Sequence, residues 1–202
     1  MKARWLGILG AGVVALLLSG RANAMAAQSS GSDAYSRVGA EAGAGISDFT
    51  GDLGDHMNVG AAWNARGIVN ITQNIGIEGV YQGASNQIDD TRLAFAHSVT
   101  TSAFSGDIKL TAPFQMGGNT VFEPFVSGGL GGAHYGVNGG DNPYYVSGGS
   151  FQIPAAIGAN FLFNNLVTVG ARGDYLANTH NTLGTTSNGN QWATQATLGV
   201  HY

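Results

Sequence analysis

The sequence predicts an all-β protein: an antiparallel up-and-down eight-stranded transmembrane β-barrel, preceded by a cleaved signal peptide. Three observations carry this. From residue 37 onward, short segments alternate apolar and polar residues with a period of two, the spacing at which strand side chains change face. In those segments Arg37, Glu41, Arg66, Glu78, Asp107, Lys109, Glu123, Arg172 and Asp174 all fall in the phase opposite to the apolar residues. Long polar connections alternate with short turns. Hydrocarbon tolerates no open sheet edge, so a sheet with an oily outer face must close on itself.

The chain opens with a targeting pattern. Lys2 and Arg4 precede an apolar or small-residue run from Trp5 to Leu18, and Ala22, Asn23 and Ala24 supply the small residues of a cleavage site. This is the pattern of a secretory signal, with cleavage after Ala24 or, on the same grounds, after Ala26. The run is short for a helical span of about 20 residues. The division is therefore signal peptide 1–24, lead-in 25–36 and barrel 37–202.

Loss of Lys2, Arg4 and Arg21 leaves five basic against 12 acidic residues, a formal charge of −7. Nucleic acid rewards clustered Lys and Arg and is not an expected partner. There is no cysteine, which removes disulfides, thiolate metal sites and thiol catalysis. Only 10% of residues are charged, against about a quarter in ordinary globular chains. Composition this mild fits a membrane protein whose spans are strands, since only half of each strand faces lipid.

The first strand is expected over 37–47, with Val38, Ala40, Ala42, Ala44 and Ile46 outward and Arg37, Glu41 and Ser47 inward. Residues 48–56 carry Asp48, Asp52 and Asp55 among glycines and read as a solvated loop. The second strand, 57–69, places Met57, Val59, Ala61, Trp63 and Ala65 outward and Asn58, Asn64 and Arg66 inward. A turn at Thr72 to Asn74 leads to the third, 75–84, with Ile75, Ile77 and Tyr81 out and Glu78 and Gln82 in. Residues 85–101 form a longer connection whose second half, Leu93 to Val99, is able to extend the next strand. The fourth, 102–114, sets Phe104, Ile108, Leu110, Ala112 and Phe114 against Asp107, Lys109 and Thr111.

Gly117, Gly118 and Asn119 suit a tight turn. The fifth strand, 120–134, has Phe122, Pro124, Val126 and Leu130 out and Glu123, Phe125 and Ser127 in. Pro124 has no N–H to give, so it belongs near a strand end or bulge. After a Gly/Asn/Asp/Tyr loop, the sixth strand, 151–162, alternates most cleanly. Phe151, Ile153, Ala155, Ile157, Ala159 and Phe161 oppose Gln152, Gly158 and Asn160. Asn164 and Asn165 turn the chain into the seventh, 167–176, with Val167, Val169, Ala171 and Tyr175 out and Thr168, Arg172 and Asp174 in. A polar loop precedes the last strand, 191–202, where Trp192, Ala196, Leu198, Val200 and Tyr202 face away from Gln191, Gln195, Thr197 and His201.

With the strands placed, the chain resembles the small eight-stranded outer-membrane β-barrels of the opacity-like and porin-like family. The closest local match is Glu123-Pro124-Phe125-Val126-Ser127-Gly128-Gly129-Leu130-Gly131. Val169-Gly170-Ala171-Arg172-Gly173-Asp174-Tyr175 is similar to the family's seventh strand, and Thr197-Leu198-Gly199-Val200-His201-Tyr202 to its closing strand. The resemblance implies a bacterial outer-membrane location and a C-terminal strand recognised by the barrel-assembly machinery. It supplies no catalytic residues.

Eight strands enclose a volume that side chains fill. The expected role is therefore structural or surface-interacting, carried by the external loops. The inward charges pair across the lumen, for example Glu41 or Glu78 with Arg66 or Arg172. A narrow porin-like channel lined by the same residues is the alternative. A lipid-modifying enzyme is a further one, needing a nucleophile beside a histidine. Of His56, His97, His134, His180 and His201, only His97 adjoins a serine, Ser98, and strand neighbours point to opposite faces. Asp48, Asp52 and Asp55 are hard-cation donors without the spacing of a calcium loop. Tyr144 and Tyr145, beside Asn142 and Pro143, are the candidate contacts of an unnamed surface partner. No catalytic, metal or cofactor residue is assigned, and outer-membrane lipid is the expected surround.

Overall fold

The computed structural model describes residues 38–89, 97–138, 147–179 and 189–202. The leader, the lead-in and Arg37 lie outside these residues. So do Asp90, Arg92 and Leu93, the loop tip from Asn142 to Tyr145, and His180.

The strands are β1 (Val38–Phe49), β2 (Gly60–Asn70), β3 (Ile75–Ile88), β4 (His97–Thr111), β5 (Phe114–Gly117), β6 (Thr120–Asn138), β7 (Gly148–Phe163), β8 (Val167–Asn178) and β9 (Gln191–His201). They pair antiparallel in the order β4-β3-β2-β1-β9-β8-β7-β6-β5, and β4 also pairs with β6. That last pairing closes eight strands into a barrel. β1 meets β9 along its length, from Gly39 opposite His201 to Phe49 opposite Gln191.

β5 is an offset piece of the β4 stave. The β4–β6 ladder stops at Thr111 opposite Phe125, and the β5–β6 ladder resumes in the same register at Phe114 opposite Phe122. Pro113 lies in the gap and Pro124 faces it from β6. Neither nitrogen carries a hydrogen, so the two prolines share one interruption, across which Ala112 N–H donates to the Pro124 carbonyl at 3.0 Å. Pro124 is thus mid-strand but opposite a break, as its chemistry requires. Pro154 behaves alike: the β6–β7 ladder skips from Gly128–Ala155 to Gly131–Gln152 around it.

The short turns form as their residues suggest. Gly117 and Gly118 take φ of +102° and +57°, and Asn164 and Asn165 both take +52°, the left-handed values that Gly and Asn reach most readily.

The faces follow the alternation. Phe104, Ile108, Leu110, Val126, Leu130, Ile157 and Leu198 stand exposed on the outside. Glu41, Arg66, Glu78, Asp107, Lys109, Glu123, Arg172 and Asp174 are all buried in the lumen. Among the described residues, every Lys and Arg is inside. On the outer face Trp63 lies over Gly83, where any side chain would collide with its ring.

Several boundaries move. Strands lengthen at the end that carries the long connections: β3 runs to Ile88 and β4 starts at His97, so most of the expected connection 85–101 is strand. β6 reaches Asn138 and β7 starts at Gly148. The expected solvated loop 48–56 instead continues β1 to Phe49 and folds as a 3-10 turn, Gly51–His56. β2 accordingly starts at Gly60. Met57 is buried and makes an isolated bridge to Ile88, while Asn58 is exposed. This inverts the outward and inward placements that alternation gave those two residues, because the 3-10 turn resets the phase.

Candidate functional site

The lumen holds the side chains with chemical potential, and it is layered. Among the described residues, three cations, Arg66, Lys109 and Arg172, meet five carboxyl groups, those of Glu41, Glu78, Asp107, Glu123 and Asp174. Strand register sets part of this. Glu41 lies directly opposite Arg66 in the β1–β2 ladder, and their side chains pair at 3.0 Å. Glu41 also accepts from Asn160 Nδ2 at 3.2 Å and lies 3.5 Å from His201 Nε2, so one carboxylate ties β1 to β2, β7 and β9.

The second knot is centred on Arg172 of β8. Its Nε meets Asp174 Oδ1 at 2.6 Å, two residues along the same face. Its Nη1 crosses the lumen to Glu78 of β3 at 2.8 Å. Nη2 reaches Asp107 of β4 at 3.6 Å and donates to Ser127 Oγ of β6 at 3.1 Å. Glu78 and Asp107 are opposite each other in the β3–β4 ladder, a like-charge pair that Arg172 and Lys109 hold together. Lys109 Nζ lies 3.3 Å from Glu78. Phe125 offers its ring to both cations, 4.4 Å from Lys109 Nζ and 5.6 Å from Arg172 Cζ, an attraction that desolvation strengthens. Of the pairings open to Glu41 and Glu78 with Arg66 and Arg172, the two that form are Glu41–Arg66 and Glu78–Arg172.

Uncharged amides and hydroxyls form the next layer. Tyr135 OH donates to Asn178 Oδ1 at 2.9 Å, and Gln152 Nε2 reaches Tyr135 OH at 3.2 Å and Asn178 Oδ1 at 2.9 Å. Asn64 Nδ2 donates to Gln195 Oε1. Asn86 Nδ2 donates to the Ser47 and Asn58 carbonyls at 2.9 and 3.1 Å.

Above this layer the lumen turns apolar, which alternation did not reveal. Phe49, Leu53, Met57, Ile88, Val99, Ala103, Ala133 and Tyr135 form one buried cluster at the end with the long connections. The 3-10 turn delivers Leu53, which is only 3% exposed and rests against Gly189. Backbone bonds stitch the turn down: Thr50 N–H to the Asn190 carbonyl at 2.8 Å, Asn58 N–H to Gln87 at 2.9 Å and Asp89 N–H to His56 at 2.8 Å. The one available signal was a leucine alone in an Asp/Gly loop, preceded and followed at four-residue spacing by Phe49 and Met57.

Among the described residues, the histidines do not assemble a reacting pair with a serine. His97 is buried and Ser98 faces the other way; His134 is exposed on the outer surface; His56 ends the 3-10 turn; His201 faces Glu41. Asp48 accepts from the Phe49 N–H at 2.8 Å, and among the described residues no group of three acidic or histidine side chains gathers around a metal-sized point.

Sequence comparison decides the family. A profile of the outer membrane protein beta-barrel domain matches residues 12–202. The chain belongs to this family of outer-membrane β-barrels. Its outer face is therefore the lipid face. Solved barrels share the fold at low identity. Neisserial surface protein A superposes with a TM-score of 0.57 at 12% identity, covering 82% of this chain and 97% of that one. Ail, the attachment invasion locus protein of Yersinia pestis, in complex with the heparin analogue sucrose octasulfate, gives 0.51 at 11%, covering 83% and 99%. No curated protein sequence matches the chain.

Proposed function

We propose that this outer-membrane barrel is a closed scaffold whose role, structural or surface-interacting, is carried by its extracellular loops. The observation that supports it is the double obstruction of the lumen. The Arg172 and Glu41 knots span it from wall to wall, and an apolar cluster fills it toward the outside. Ions avoid a dry apolar constriction, and a lumen of eight strands is narrow enough for side chains to fill. Export by residues 1–24 and recognition of β9 by the assembly machinery belong to the same reading.

The role is not catalytic in this reading, because Ser98 and His97 face apart and Ser127 serves Arg172. The exposed charges described at the external end are Asp55 and Asp89, with no Lys or Arg among the described residues there. Loops of that sign suit a neutral or basic partner better than a polyanion. Planar-bilayer recording of the refolded protein tests the reading. It predicts no steady unitary conductance. A stable ohmic conductance from the wild-type protein would instead establish a narrow channel.

A further inference from the structure

The end of the barrel with the short turns has an apolar rim. Ile71 in the β2–β3 turn, Met116 beside the β5–β6 turn and Leu166 in the β7–β8 turn are 62%, 63% and 41% exposed. At the remaining seam of this end, between β9 and β1, Tyr202 is exposed and exchanges backbone bonds with Val38 at 2.7 and 3.2 Å. A single exposed aliphatic residue needs no explanation, but here every seam of one end presents a large apolar or aromatic side chain. Charge is missing as well. Segments 67–77, 110–122, 159–171 and 199–202 contain no Asp, Glu, Lys or Arg.

Many polar groups of these turns bond to one another. The Ile71 and Thr72 N–H groups donate to the Ile75 carbonyl at 2.8 and 3.0 Å, and the Leu166 N–H donates to Phe163 at 3.0 Å. Asn74 Nδ2 donates to the Thr111 carbonyl at 2.9 Å, and Thr111 Oγ1 donates to the Gln73 carbonyl at 3.0 Å. The Asn164 N–H donates to the Asn119 carbonyl at 2.8 Å, and Asn119 Nδ2 donates to Asn164 Oδ1 at 3.1 Å, which ties one turn to the next. A poorly hydrated surround demands such internal closure of backbone and amide groups. The rim also continues the lipid face without a break. Two residues before Met116, Phe114 stacks on Phe122, which packs on Phe161, at centroid distances of 6.5 and 5.1 Å. We infer that the short-turn end does not clear the membrane: Ile71, Met116 and Leu166 are set in the phospholipid leaflet on that side, and this leaflet is the partner of that end. Apolar tips spread around the whole circumference meet a planar lipid layer all at once. A protein partner needs them gathered into one patch of about 800 Å².

The inference stands apart from the loop-borne role, since it concerns the opposite end and is untouched by whether the barrel conducts. The chain has no cysteine, so Ile71→Cys, Met116→Cys and Leu166→Cys each offer one site for a nitrobenzoxadiazole fluorophore. Each labelled protein is refolded into phosphatidylcholine vesicles, and heat-shifted gel mobility verifies the fold. The reference is a label at Asp55→Cys, exposed on the 3-10 turn at the other end. All three rim labels are expected to emit at shorter wavelength than the reference. They should be quenched strongly by phosphatidylcholine carrying a doxyl group near the headgroup, and several-fold less than the reference by aqueous iodide. Should a labelled variant not fold, the same position is read in the isotopically labelled wild-type protein in nanodiscs, where doxyl lipid is expected to attenuate the amide signals of residues 71, 116 and 166. Emission and iodide quenching equal to the reference at any of the three positions, or amide signals untouched by doxyl lipid, would place the rim in water and overturn the inference in favour of a soluble partner.

Discussion

Replacing Arg172 by Met tests the ionic knot most sharply. Arg172 is the common partner of Glu78, Asp107 and Asp174 at 2.8, 3.6 and 2.6 Å, and it also donates to Ser127. Methionine keeps much of the volume and none of the charge. Three carboxylates then share Lys109, which already lies 3.3 Å from Glu78. Breaking a buried pair from one side costs about 3–5 kcal/mol, because the abandoned charge stays buried. That is two to more than three decades in the unfolding constant. At a urea slope of about 2 kcal/mol/M, the midpoint falls by about 1.5–2.5 M. The assay is reversible urea unfolding in lipid vesicles, read by tryptophan fluorescence and by heat-shifted gel mobility. The double variant Glu41→Gln with Arg66→Met, which removes both partners of the other pair, should lose much less, since a deleted buried pair is often near neutral. A midpoint change below 0.5 M for Arg172→Met, on the order of 1 kcal/mol at that slope, would refute the view that these charges hold the barrel from within.

Three further outcomes follow from the same structure. Ile157, 67% exposed on the lipid face, should lose about 2–4 kcal/mol of folding free energy in bilayers on replacement by Arg, measured by vesicle refolding yield. Leu53→Ala empties part of the apolar cap at about 2–5 kcal/mol; hydrogen exchange should rise over 50–57 while planar-bilayer current stays absent, because the Arg172 knot remains. Gly83→Leu places a side chain where the Trp63 ring lies, and overpacking of about 1–3 kcal/mol should show as a lower urea midpoint and a displaced tryptophan emission.

The barrel itself was legible because two independent patterns agree, the period of two and the long-short rhythm of connections. Charge phase located the lumen and the four residues Glu41, Glu78, Arg66 and Arg172 that pair across it, since a buried charge must find a partner and few are on offer; which carboxylate takes which cation is set by register, as where Glu41 lies opposite Arg66. Three features were hidden. The apolar cap is built from inward positions such as Val99 and Tyr135, which at the end with the long connections break the polar-inside rule, together with a turn whose φ and ψ no alternation encodes. The extension of β3, β6 and β7 toward the long connections leaves no apolar stripe, so residues such as Gln87 and Asn138 read as loop, whereas the segment up to Val99 was already open to extending β4. The β4–β5 break needs both Pro113 and Pro124 to be seen in register, and register is a property of two strands together. Gln152 faces inward as its phase predicts, and it is buried and bonded to Tyr135 and Asn178, so Gln152→Arg should destabilise the barrel as well.

Which face of β7 meets lipid underlies every claim above. Spin labels placed singly at Ala155, Ile157 and Phe161 in the vesicle-inserted protein measure this through collisions with dissolved oxygen and with a water-soluble nickel chelate. The account predicts strong oxygen and negligible nickel collisions at all three. Nickel collisions at Ile157 matching those of a label at an exposed loop position would contradict it.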